Sequence, residues 1–111
     1  MSGLPIPILT ITGPKTSGKP LRQRKYIILT ARVHPGETNS SFKMHGALKF
    51  LLGDSERAQY LRALYIFKIV PMLNIDGVVC GNYRTSFAGV DLNRRWTDPN
   101  PLLHPSVHGL K

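Results

Sequence analysis

Two apolar runs constrain this chain more than anything else in it. YIILTARV, residues 26–33, is nearly continuous in apolar and β-branched residues, and YIFKIVP, residues 65–71, repeats the character. Such runs lack the polar alternation of a half-wet strand, so 26–33 is expected as an interior strand covered on both faces. Between them, TNSSFKMHGALKFLL at 38–52 places Phe42, Leu48, Leu51 and Leu52 at roughly helical spacing. Its Thr/Asn/Ser cluster is suited to capping the helix start. Gly53-Asp54-Ser55 ends that helix, and Ser55 is placed to cap a second, ERAQYLRAL. Strand, helical region, strand is a crossover, which implies parallel pairing and an α/β class.

The flanks add little regular structure. ILTIT at 8–12 reads as a short strand, and GPKTSGKPLRQRK at 13–25 as a basic hairpin or exposed loop. Asn74-Ile75-Asp76-Gly77 reads as a turn, 78–90 has no clear period, and TDPNPLLHP at 97–105 is a proline-rich loop. No closing element is expected before Lys111. Three strands and two helices are thin for a sheet that needs cover on both faces. The expected organisation is a lead-in at 1–25 and a portion of a larger domain at 26–111, incomplete at its C-terminus.

Fifteen Lys and Arg against six Asp and Glu give a formal charge of +9 over 111 residues. Lys15, Lys19, Arg22, Arg24, Lys25 and Arg32 precede the first acid, Glu37. This balance favours an acidic partner without choosing among nucleic acid, anionic membrane and acidic protein. Cys80 is the sole cysteine, which excludes an internal disulfide and a cysteine-based zinc cluster. No apolar stretch approaches the roughly 18 residues of a membrane span.

GPKTSGKP at 13–20 nearly matches a phosphate-binding loop. Pro20 stands where that loop needs a hydroxyl for magnesium, and proline also removes an N–H from the phosphate nest. A loop tip is therefore the expectation there.

RVHPGE, residues 32–37, ends the first apolar run. Ligands of open α/β sheets bind beyond the carboxyl ends of strands. His34 and Glu37 are both good zinc donors, with bonds of about 2.0–2.2 Å. Alone the pair is weak: His34 could bond to backbone, and Glu37 could cap the following helix.

The run HPGETNSSFK, FKIVPMLNIDGV, GNYR and GVDLNRRW, in that order, resembles the zinc metallocarboxypeptidases. More narrowly it is similar to their cytosolic branch, which trims glutamates from protein tails such as those of tubulin. The resemblance covers roughly residues 27–111. It implies a partial three-layer carboxypeptidase-type domain, with a mixed, largely parallel sheet and flanking helices. It implies Zn2+ on His34 and Glu37, Arg84 polarising the scissile carbonyl, and Asn93 with Arg94 holding the substrate's terminal carboxylate. Asp91 would brace a ligand or make an Asx turn. The implied partners are acidic C-terminal tails, in the cytoplasm and at the cytoskeleton. Neither membrane nor nucleic acid is implied.

The roles suit the residue types. A planar guanidinium grips a carboxylate bidentately, and an amide adds a donor. Blander readings stand beside them: Arg84 as a solvated charge, Arg94 or Arg95 paired with Asp91 or Asp98, Trp96 as packing, His45 as surface. A non-catalytic basic module, or an inactive relative, is the alternative. Two departures from the family pattern matter. Ile75 replaces the usual proline of the turn. The third zinc ligand and general base are also missing: no glutamate follows Glu56, and His104 and His108 come too soon after DLNR.

Overall fold

β3, Tyr65–Val70, is the centre of the sheet, and Ile66, Phe67, Ile69 and Val70 in it are all buried. The computed structural model describes residues 3–111. β1, Leu9–Ile11, pairs antiparallel with β3, setting Ile11 opposite Phe67. β2, Lys25–Thr30, pairs parallel with β3 from Lys25–Tyr65 to Thr30–Val70. The order is β1-β3-β2, a mixed sheet. β1 and β2 are not neighbours, so the basic segment between them crosses past β3.

That order corrects one expectation. β2 is an edge strand, not an interior one, and its Tyr26 and Ile28 are 65% and 57% exposed. An apolar run shows that both faces tolerate burial; it does not say what lies beside it.

α1, Thr38–Leu52, and α2, Glu56–Leu64, follow the sequence boundaries. Met44 and Leu51 of α1 pack on Ile11, Ala31, Phe67 and Ile69, joined by Ile27, Leu29 and Leu61. Ser55 caps α2 by accepting the Ala58 N–H at 3.3 Å. α1 has no side-chain cap at all. Its serines instead serve Arg32: Ser40 Oγ accepts the Arg32 backbone N–H at 3.1 Å, and Ser41 Oγ accepts from its guanidinium at 2.8 Å. Arg32 needs the help, because its φ of 57° is left-handed, a conformation that costs a non-glycine residue roughly 1–2 kcal/mol.

Two short helices escape sequence periodicity. The Asn74 turn opens into α3, Ile75–Val79, with Asn74 Oδ1 accepting the Gly77 N–H at 3.0 Å. α4, Pro105–Leu110, closes the chain where no element was expected. Its Val107 completes a second cluster with Val70, Leu73 and Leu92. Five or six residues are too few to display a helical period; Pro105 at the first turn was the legible signal.

The phosphate-loop lookalike is built around a cation. Arg24 is 4% exposed, and its guanidinium donates to the carbonyls of Lys19, Gly13, Arg62, Pro14 and Ser17 and to Thr12 Oγ1. A phosphate loop turns N–H groups inward; this one turns carbonyls inward. Nucleotide binding there is excluded by polarity, and Arg24 is withdrawn from the basic surface.

Candidate active site

The HPGE and NIDG motifs lie far apart in sequence and interlock in space. Leu73 and Asn74 donate their backbone N–H groups to the carbonyls of Ala31 and Arg32, and Asn74 Nδ2 donates to Val33 O. Pro35 sits on Gly77: a Cβ there would lie 2.5 Å from Pro35 Cγ and 2.6 Å from Thr85 O. Gly36 sits under Tyr83, to whose carbonyl it donates at 2.7 Å. A Cβ on Gly36 would meet the Tyr83 ring at 2.3 Å. Both glycines are demanded by close approach.

The segment 82–91 then folds back on itself. Ser86 N–H donates to Val90 O at 2.8 Å, and Gly89, at φ 72°, makes the turn. Asn82 Nδ2 ties down the carbonyls of Thr85 and Ser86. Arg84 and Asp91 thereby face each other across the closure.

One carboxylate joins the candidate residues. Asp91 Oδ1 lies 3.0 Å from His34 Nε2 and accepts the Asn93 backbone N–H at 2.9 Å. Its Oδ2 accepts from Arg84 Nε at 2.9 Å and forms an ion pair with Nη2, also at 2.9 Å. Partial burial alone would raise the Asp91 pKa. The hydrogen bonds from His34 and Asn93, with the charge of Arg84, outweigh it and hold the carboxyl below its ordinary value of 3.8. A pKa depressed on folding contributes stability that is present above 3.8 and lost as pH falls through the native value.

His34 is buried, with Glu37 Oε1 3.2 Å from its Nδ1. A neutral imidazole has one N–H to give, and two carboxylates face this one. With Nε2–H given to Asp91, Nδ1 and Glu37 present lone pairs to each other. That arrangement calls for a positive centre between them, a proton or a metal ion. Two donors on zinc at bonds near 2.05 Å would stand about 3.3 Å apart in a tetrahedron. The observed 3.2 Å fits that edge, and an Nε2–carboxylate brace is how a metal-ligating imidazole is usually oriented.

The blander readings of this pair give way. His34 bonds to carboxylates rather than backbone, and Glu37, though at the start of α1, makes no capping bond. Arg84, not Arg94 or Arg95, takes Asp91. Arg94 is exposed on the 3-10 turn Leu92–Arg94, without a side-chain hydrogen bond or ion pair among the described residues. His45 is exposed on α1. His104 accepts the Asn100 N–H on its Nδ1 at 2.9 Å and braces a loop. Among the described residues no three His, Cys, Asp or Glu side chains form a closed metal site. Sequence reasoning missed a role for Trp96, taken as packing: its indole donates to Asn93 Oδ1 at 3.0 Å.

Comparison with known proteins agrees with the motifs. The sequence profile of the family described as zinc carboxypeptidase matches residues 1–105. Cytosolic carboxypeptidase 1 of Xenopus laevis is 53% identical over the whole chain. Cytosolic carboxypeptidase 6 of Caenorhabditis elegans is 57% identical over 79% of it. The chain spans only 10% and 19% of those two relatives. Among solved structures, a metallo-carboxypeptidase from Burkholderia cenocepacia superposes with a TM-score of 0.83 at 37% identity, covering 97% of this chain and 29% of that one. A metallo-carboxypeptidase from Pseudomonas aeruginosa, in complex with (2-guanidinoethylmercapto)succinic acid, gives 0.81 at 31% identity, covering 95% and 27%. From its motifs, its fold and these relatives alike, the chain belongs to the zinc carboxypeptidase family.

Proposed function

We propose that this chain carries half of the zinc site and the carboxylate-recognition side of a metallocarboxypeptidase acting on acidic protein tails, such as those of tubulin, in the cytoplasm. The observation that carries the reading is the Asp91 carboxylate. It braces the His34 ring, holds Arg84 and anchors the Asn93 backbone at once. His34 Nδ1 and Glu37 would hold zinc, which when bound polarises a carbonyl and acidifies a water. Arg94, exposed and without an ion pair among the described residues, grips the terminal carboxylate, and Asn93 adds an amide donor. Arg84 stabilises charge developing on the scissile carbonyl. The carboxylates of the (2-guanidinoethylmercapto)succinic acid held by the Pseudomonas aeruginosa relative support carboxylate recognition, the +9 charge supports an acidic tail, and the cytosolic names of the relatives support the compartment.

The third ligand and the base are not among these residues, so the isolated chain holds zinc weakly and turns over little. The test pairs a peptide ending in free glutamates with its C-terminal amide, alongside zinc titration. The free carboxylate should bind more tightly, and Arg94→Ala should abolish the preference. His34→Ala and Glu37→Ala should remove the residual zinc. Salt-sensitive binding indifferent to the carboxylate and to Arg94→Ala would favour a basic interaction module instead. Tight stoichiometric zinc with chelator-sensitive turnover would overturn the weakness of the isolated chain.

A further inference from the structure

An asparagine that recognises a carboxylate has an orientation problem. Its amide is nearly symmetric in shape, with an acceptor at one end and two donors at the other. Only the NH2 end attracts an anion; flipped, the amide repels it. Asn93 is exposed, so burial does not choose between the two states.

We propose that Trp96 is a positioning residue that sets this choice, an inference that rests on the carboxylate-binding role given to Asn93 above. The indole N–H is a donor with no acceptor capacity. It lies 3.0 Å from Asn93 Oδ1, so it holds the oxygen inward and leaves the NH2 free for substrate. Local geometry makes the pairing cheap to form. Asn93 lies in the turn Leu92–Arg94 and Trp96 follows directly after its C-cap, Arg95, three residues on from Asn93, while the Asp91 carboxylate pins the Asn93 backbone at 2.9 Å. Trp96 itself is 37% exposed and belongs to neither apolar cluster. Its placement suits a donor better than a core ring.

Two replacements test this on the whole chain: Trp96→Phe, and exchange of the indole for benzothiophene, which keeps the shape and substitutes sulfur for N–H. Trp96 is the sole tryptophan, so its indole proton gives one NMR signal. That signal should exchange slowly with solvent in the native protein, and the Asn93 NH2 pair should shift on adding the free-carboxylate peptide. Both replacements should weaken the free-carboxylate peptide by about five- to tenfold, the net worth of one ordinary hydrogen bond. Both should leave the amidated peptide unchanged. Asn93→Ala separates the two readings. If Asn93→Ala weakens binding and the benzothiophene variant does not, the role of Trp96 is overturned and the clamp stands. If neither Asn93→Ala nor Arg94→Ala matters, or the native chain ignores the carboxylate, the clamp falls and Trp96 with it.

Discussion

Arg24 and Arg84 are both loop arginines, and their surroundings give them opposite work. Arg84 is 47% exposed at its side chain and shares one carboxylate oxygen, a hold that a competing anion can loosen. Arg24 is sealed by six acceptors with no counter-charge among them. Hydrogen bonds, not an ion pair, make its burial tolerable. Arg24→Ala should therefore strand several inward carbonyls and cost the loop about 3 kcal/mol. The measurement is amide hydrogen exchange at Gly13 and Lys19, which donate to Arg62 O and Ala63 O. Protection there should fall by about a hundredfold, at 1.4 kcal/mol per tenfold. Unchanged protection would mean that the guanidinium does not organise the segment. Lysine should not rescue, lacking the planar fork that reaches diverging acceptors. None of this was legible in KPLRQRK, because five of the six acceptors belong to residues outside that tract, one of them Arg62 near the end of α2. The nearness of His34 to Glu37 was legible for the opposite reason: three residues and a Pro-Gly turn bring them together locally.

At the scale of elements, legibility followed length. α1 and α2 run long enough for burial to impose a period on the sequence, β3 shows instead as a nearly unbroken apolar run, and Ser55 announces its helix by local chemistry. α3 and α4 are too short to do so, and the edge position of β2 depends on neighbours that its own residues do not encode. What assembles the site is a contact between elements, the seating of Pro35 on Gly77. A methyl group at Gly77 meets backbone as well as ring, at 2.6 Å and 2.5 Å, so the relief must come from moving a turn. Gly77→Ala should cost about 2 kcal/mol, typical of forced overpacking. It should also displace the HPGE turn. Loss of protection at the Gly36 amide, with shifted His34 ring signals, would register this. Native exchange at Gly36 together with an unmoved His34 ring would show the seat to be loose.

For the whole molecule, size and surface disagree with a closed domain. The radius of gyration is 15.7 Å, where a compact chain of this length has about 13 Å. The accessible surface is 7250 Å², against about 6100 Å² for a folded monomer of this mass. The excess includes apolar side chains: Phe42, Tyr83 and Leu102 are each more than 75% exposed. Burial this incomplete buys little cooperativity. Circular dichroism should show secondary structure that melts over a broad range of urea, with a slope below that expected for 111 residues. A sharp two-state transition of full slope would contradict it.

The shared carboxylate has a thermodynamic corollary. Asp91 touches the imidazole with one oxygen and the guanidinium with the other. The region that would hold a metal and the region that would hold a peptide are thus coupled rather than additive. A ligand that draws Arg84 aside alters the negative charge felt by His34. Whatever free energy peptide lends to ion affinity, the ion must return to peptide affinity in equal measure.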